Sequence, residues 1–254
     1  MKNEIISIGP ITVYGYGLMI AIGIIAAYVV AEYRARKANL NHKRIFGLTI
    51  WCLVGGLIGA KFLYLITQIE EIVSNPKIIF ALSDGFVVYG GIIGGILAGF
   101  LFCKKEKLNF LQYFDLAMPS VALAQGFGRI GCFLAGCCYG MRTTGIMGIE
   151  FHESAYAPNG VRLIPTQLIS SGLDFLHFFI LIFFAKRIKA HGQVAGLYLI
   201  FYSVGRFILE FFRGDLIRGS VGSLSTSQFI SIFLFVIGCS IVLVRAYGTK
   251  NVSE

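Results

Sequence analysis

Residues 128–140 read GRIGCFLAGCCYG, a permanent cation set among glycine, cysteine and apolar residues with no carboxylate in the run. On a helix, Gln125, Cys132 and Gly136 share the face of Arg129 at i−4, i+3 and i+7. A guanidinium carries paired N–H donors that match a phosphate, so an anionic headgroup is the natural ligand at such a position. A second set lies in FYSVGRFILEFFRGD, where Tyr202, Arg206, Glu210 and Arg213 follow at i, i+4, i+8 and i+11. As a single helical stripe it would hold one carboxylate between two guanidiniums and keep one surplus positive charge. Arg213, beside Gly214 and Asp215, has snorkelling and pairing as its plainer readings. Two further cations or hydroxyls border small residues: Lys61 follows Gly55, Gly56 and Gly59, and Tyr89 precedes Gly90 and Gly91. Glycines of this kind let another backbone or a ligand approach closely.

Held in a dry cavity, Arg129 and Arg206 can stabilise the negative charge of a phosphate. Nearby cations also lower a thiol below its ordinary pKa of about 8.5. Tyr89, with a reference value of about 10, can act as a base only if a cation lowers it, or can orient a phosphate through its hydroxyl. Asp174 and His177 share a helix face at i+3 and are either a substitute base or a satisfied polar pair. Cys132, Cys137 and Cys138 admit three readings: small packing residues, a disulfide, or a metal site, the last weakened because Cys-x4-Cys-Cys brings no obvious fourth ligand. The chemistry itself requires no metal and no organic cofactor.

The elements that must position these groups are apolar. Hydrophobic residues make up 56% of the 254 residues and charged residues only 14%, against about 25% in soluble domains, with a mean hydropathy of +0.77. Runs of about 20 apolar residues are the length of a membrane-crossing helix, and inside lipid only a helix or a closed barrel satisfies its own backbone. Seven such runs predict spans at 11–31, 45–66, 87–103, 111–135, 166–185, 193–212 and 226–246. The expected fold is therefore an all-α, polytopic, single transmembrane domain over residues 1–254, with 139–164 as a short external cap. The first run starts late and lacks a small-residue cleavage site, so it reads as a retained anchor.

The net charge of +9 would suggest nucleic acid in a soluble chain, but no basic stripe is interleaved with exposed aromatics, which excludes that partner class. Thirteen basic residues fall in the loops after spans 1, 3, 5 and 7, and five (Lys2, Lys77, Arg142, Arg162 and Arg218) on the other side. The positive-inside rule then sets the C-terminus in the cytoplasm and the N-terminus outside.

The stretches SIGPITVYGYGLM (7–19), GGLIGAKFLYLI (55–66), YGGIIGG (89–95), GRIGCFLAGCCYG (128–140), PTQL (165–168) and GRFILEFFRGD (205–215) occur in the order seen in one family. The chain resembles the prolipoprotein diacylglyceryl transferases of the bacterial inner membrane. That resemblance implies transfer of the diacylglyceryl group of phosphatidylglycerol to the lipobox cysteine of a prolipoprotein signal peptide, giving a thioether and glycerol phosphate. It implies lipid-phosphate binding by Arg129, Arg206 and Lys61, catalytic roles for Arg206, Tyr89 and Glu210, and a cavity lined by Tyr16, Gly90, Gly91, Gln167 and Arg213. The chain departs from the family pattern at Tyr89, where a histidine is usual, at Lys61 for arginine, and at Cys132 and Cys137 for polar residues. Ile164, Ile169 and Ser170 also replace the family's usual neighbours of the PTQL run. Alternative functions are a related transferase with another acceptor, a phospholipid-binding or transport protein, and, from the cysteines alone, a thiol–disulfide oxidoreductase.

Overall fold

The computed structural model describes residues 4–8, 11–74, 85–188, 190–215 and 219–250. Of the basic residues counted above, Lys2, Lys77, Lys189 and Arg218 lie outside them. The chain is mostly helical. Among the described residues seven helices have at least 18 residues: α1 (Gly15–Lys37), α2 (Ile45–Thr67), α4 (Val88–Lys105), α5 (Phe110–Ala135), α6 (Thr166–Ala185), α7 (Gln193–Glu210) and α8 (Thr226–Lys250). A short α3 (Ile69–Ser74) follows α2. Five of the long helices are both long and apolar enough to cross a membrane. The two outside that set, α5 and α7, are the ones that carry Asp115 and Arg129, and Arg206 and Glu210.

Among the described residues three small antiparallel strand pairs qualify the all-α expectation: β1 (Glu4–Ile8) with β2 (Ile11–Tyr14), β3 (Ile149–Glu150) with β4 (Arg162–Leu163), and β5 (Ser220–Val221) with β6 (Leu224–Ser225). Residues 11–14, expected at the start of the first span, are β2 instead. Their β-branched run pairs with β1, and the helix begins at Gly15.

The chain divides into two compact units. In Glu32–Tyr113, α2 and α4 pack backbone to backbone through Gly55 and Gly59 on one helix and Gly90 and Gly94 on the other. A Cβ at Gly59 would overlap the Gly90 carbonyl oxygen, and one at Gly94 would overlap that of Gly55. This is close small-residue packing of the kind that joins helices in lipid. Asn41 and Tyr113 tie the ends of this unit together, the Asn41 N–H donating to the phenolic oxygen at 3.0 Å.

The other unit, Met1–Ala31 with Phe114–Glu254, holds the rest. Met118 and Ala122 of α5, Leu181 of α6, and Val194, Ala195 and Tyr198 of α7 form its buried core. Asp115 of α5 accepts from the N–H groups of Gly192 (2.6 Å) and Ala195 (2.8 Å). A carboxylate from a neighbouring helix thus satisfies donors that the first turn of α7 cannot, and it sits at the positive end of the helix dipole. Helices α7 and α8 meet at Gly196 and Gly238, each lying against the other's backbone.

Candidate functional site

Within the larger unit a cavity of about 1040 Å³ opens between α5, α6, α7 and the segment 143–148. Its walls are apolar: Ile164, Ile169, Leu173, Leu176, Phe201, Ile208 and Phe212 are among them. Arg129, Asp174, His177, Tyr202 and Arg206 supply the polar lining. Two guanidiniums on different helices therefore face one greasy chamber.

The two arginines are held differently. Arg206 Nη1 lies 2.7 Å from Glu210 Oε2, and Nη2 donates to Ser227 Oγ of α8 at 2.7 Å. Arg129 makes no salt bridge and no hydrogen bond among the described residues, although Cys132, Asp174, Tyr202 and Cys138 lie within electrostatic range. The run 128–140 holds no carboxylate, but Asp174 of α6 comes within electrostatic range of Arg129. The surplus-cation argument for the second set does not hold. Helix α7 ends at Glu210, and Arg213 leaves the stripe to form a two-pronged pair with Asp215, Nε–Oδ1 at 2.8 Å and Nη2–Oδ2 at 2.7 Å. Each of those arginines has its own carboxylate in contact, whereas Arg129 has none in salt-bridge contact among the described residues.

The reason Arg213 departs is the backbone beyond α7. Met141 N–H donates to Phe212 O at 2.9 Å, Gly214 N–H to Tyr139 O at 3.1 Å, and Gly140 N–H to Ile164 O at 3.0 Å. Residues 139–143 are thereby stitched between the end of α7 and the strand entering α6. In the same segment Phe151, Ala157 and Leu163 form a small core with Phe133, Tyr139 and Val161. That core holds Thr143 and Gly145–Gly148 at the cavity, a contribution no sequence motif announced.

Asp174 and His177 are not a satisfied pair. Neither bonds the other, and the buried His177 Nε2 has no hydrogen-bond partner among the described residues. The His177 ring stacks on Tyr198 at 5.0 Å instead. Gln167 is 1% exposed; its Nε2 donates to Cys137 O at 2.8 Å, while its Oε1 has no hydrogen-bond partner among the described residues. Tyr16 is exposed and packs over Gly131 of α5, within electrostatic range of the three cysteines and Arg129.

The cysteines converge through a helix-ending device. Gly136 has φ +76°; its N–H donates to Phe133 O at 3.1 Å, and Cys137 N–H donates to Cys132 O at 3.1 Å. These are the two bonds of a Schellman motif, which folds the residue after the glycine back over the last turn. Cys137 returns to Cys132, and Cys138, itself at φ +59°, turns its sulfur to the same place. The three Sγ atoms lie within 4.8 Å of one another, and none of the three forms a disulfide. The Cys132 and Cys137 thiols, and then Arg213, hold the Cys138 thiol well below the ordinary range.

Lys61, Tyr89, Gly90 and Gly91 belong to the smaller unit. The Lys61 ammonium lies over the rings of Tyr64 (4.9 Å) and Phe86 (5.7 Å). Tyr89 is exposed. Gly90 and Gly91, expected as cavity lining, sit in the α2–α4 contact, Gly90 against Gly59 and Gly91 against Gly56.

Comparison with known proteins bears on this geometry. The model of the prolipoprotein diacylglyceryl transferase family matches residues 3–244. A Clostridium tetani protein named phosphatidylglycerol–prolipoprotein diacylglyceryl transferase is 49% identical over 238 residues, covering 94% of this chain and 95% of that one. A Clostridium perfringens protein of the same name, numbered 2, is 47% identical over 244 residues, 95% of each chain. A Finegoldia magna relative with that name is 34% identical over 240 residues, 94% of this chain and 93% of its own.

Proposed function

Because the chain belongs to the prolipoprotein diacylglyceryl transferase family, we propose that it moves the diacylglyceryl group of phosphatidylglycerol onto the lipobox cysteine of prolipoprotein signal peptides, releasing glycerol phosphate. The observation that carries the site is Arg129, a guanidinium with no hydrogen bond or salt bridge among the described residues, facing an apolar cavity it shares with Arg206. An amphipathic anion fits that combination: acyl chains against the leucine, isoleucine and phenylalanine walls, phosphate on the paired N–H donors. Arg129 anchors the phosphate in the ground state. Arg206, already fixed by Glu210 and Ser227, is preorganised to meet charge as it develops on the departing phosphate oxygen.

Several finer assignments rest on the same reading. Seven helices cross the bacterial inner membrane with the N-terminus outside, supported by the seven long helices and the basic-residue asymmetry. Residues 139–164 cap the outer end. The exposed Ile146 and Met147 of that segment border the cavity and suit an apolar signal peptide. Tyr16, Gln167 and Arg213 support the cap and the cysteine turn. Lys61 and Tyr89 keep phosphate-binding and catalytic roles on the strength of the motif resemblance alone.

The test is a purified protein reconstituted with labelled phosphatidylglycerol and a lipobox peptide. The expected result is lipidated peptide and glycerol phosphate in equal amounts. Arg129→Ala should bind lipid about 10–150-fold more weakly, the equivalent of one buried charge-assisted hydrogen bond, and should lose most turnover. Arg129→Lys should recover only part of both, since an ammonium lacks the planar fork. Parent-like binding and turnover in Arg129→Ala would remove this site, and glycerol phosphate release without peptide lipidation would mean a different acceptor.

A further inference from the structure

We propose that Cys132, Cys137 and Cys138 hold a thiophilic divalent cation, zinc foremost, as three thiolates, and that its fourth position takes the acceptor thiol that is alkylated. The proposal rests on the transferase reading above and names the source of its nucleophile.

Three sulfurs within 4.8 Å of one another fit a single ion. With Zn–S bonds of about 2.3 Å, tetrahedral ligands stand about 3.8 Å apart. The arrangement is built rather than incidental. The Schellman bonds return Cys137 over Cys132, Gln167 holds the Cys137 carbonyl at 2.8 Å, and Thr166 Oγ1 holds the Cys138 carbonyl at 2.9 Å. Cys138 occupies the left-handed region at φ +59°, a conformation a side chain this size adopts only when its surroundings impose it. Packing alone asks for no such convergence of sulfurs.

Charge and coordination agree. A divalent cation with three thiolates has one net negative charge. Arg213 lies within electrostatic range of Cys138, and Arg129 within electrostatic range of Cys132 and Cys138. Among the described residues no histidine, carboxylate or further cysteine joins the group. Three protein ligands and one open position is the pattern of catalytic rather than structural zinc. Arg129 also lines the lipid cavity, so one side chain borders both the proposed phosphate and the proposed metal.

The step balances without a redox partner. The acceptor S–H binds the cation and releases its proton to solvent, because a coordinated thiol is deprotonated. The bound thiolate forms an S–C bond to the glycerol carbon. The C–O bond to phosphate breaks, its electron pair leaves with glycerol phosphate, and the neutral thioether departs as a weaker ligand.

The test uses the full-length protein purified under reductant, with metal content measured per chain. About one zinc per chain is expected. Cys137→Ser and Cys138→Ser should each weaken metal retention by more than about tenfold, as loss of one of three ligands requires. Cobalt substitution should give sulfur-to-cobalt charge-transfer absorption. That spectrum should change on adding a lipobox peptide and not its Cys-to-Ser analogue. Arg129→Ala should keep the metal and the spectral change while losing transfer, which separates this proposal from the lipid-site reading. Failure of the parent to transfer, with metal and peptide response intact, would sink the transferase reading and leave the metal site standing. Zinc retention equal in the parent and in a Cys132→Ser/Cys137→Ser/Cys138→Ser variant would overturn the site, as would a disulfide between two of these cysteines in the active protein. Metal bound without any spectral response to the cysteine peptide would overturn its role in thiol activation.

Discussion

The Arg206 guanidinium and the Glu210 carboxylate meet one helical turn apart, 2.7 Å between Nη1 and Oε2, with their side chains 12% and 9% exposed. Glu210 Oε2 is close to the arginine but aligned for no hydrogen bond, so the pair fixes the guanidinium by charge while its remaining N–H groups point elsewhere. A buried arginine without that carboxylate would carry an uncompensated charge in a wall that is otherwise phenylalanine, isoleucine and leucine.

Glu210→Gln is therefore expected to destabilise the protein by about 3–5 kcal/mol, as when one partner of a buried ion pair is removed. Turnover of phosphatidylglycerol should fall with it. Thermal unfolding in detergent and transfer in lipid vesicles check the two effects separately. An unchanged melting temperature would mean that Ser227 alone suffices to hold Arg206.

The α2–α4 contact gives a paired prediction. Gly59→Leu puts a side chain into the Gly90 carbonyl and should cost at least about 1–3 kcal/mol by overpacking. Gly56→Ala should be tolerated, since a Cβ there stands 3.4 Å from Gly91 O. Equal behaviour of the two variants in a melting series would contradict this backbone-to-backbone packing.

Much of this architecture was legible in the residues, and the failures are instructive. Apolar runs marked the helices because length and hydropathy are local properties: the run at 166–185 is α6 to the residue. The run at 11–31 failed at its start because the pairing of Ile11–Tyr14 with β1 is not local. The stripe from Tyr202 to Arg213 failed for a similar reason. Spacing assumes that a helix continues, and this one stops because residues 139–141 offer the backbone after Glu210 another set of partners. Asp215, two residues past Arg213, was the visible hint of a local pair. The cysteine convergence also had a signal, a glycine just after a helical run, but its consequence for side-chain direction appears only once the Schellman bonds are drawn. The cavity loop 143–148 had none, because its position depends on strand pairings between distant segments.

Asp115→Ala should remove the acceptor for the Gly192 and Ala195 N–H groups and cost about 0.5–2 kcal/mol, the range for loss of a helix cap. Activity per folded molecule should be preserved, since Asp115 lies outside the cavity lining. Melting temperature together with lipid-transfer rate separates the two. A loss of transfer without loss of stability would give Asp115 a role this geometry does not predict.

Gly136→Ala tests the turn that gathers the cysteines. At φ +76° a Cβ meets the following carbonyl, and here it would also overlap Ser154 Oγ. The left-handed conformation alone costs about 1–2 kcal/mol for an L-residue. The expected response is local: the helices keep their packing, while the Schellman bonds from Gly136 and Cys137 loosen and Cys137 moves off Cys132. In a Cys138→Ser background, a trivalent arsenical that needs two neighbouring thiols should bind the parent pair and bind the alanine variant about 5–30-fold less well, the equivalent of the strain above. Gly136→Asn should lose less, because asparagine tolerates the left-handed region, yet it should not match glycine while the overlap with Ser154 remains. If arsenical binding were the same in all three, the sulfurs would be gathered by the contacts of Gln167 and Thr166 rather than by the turn at Gly136.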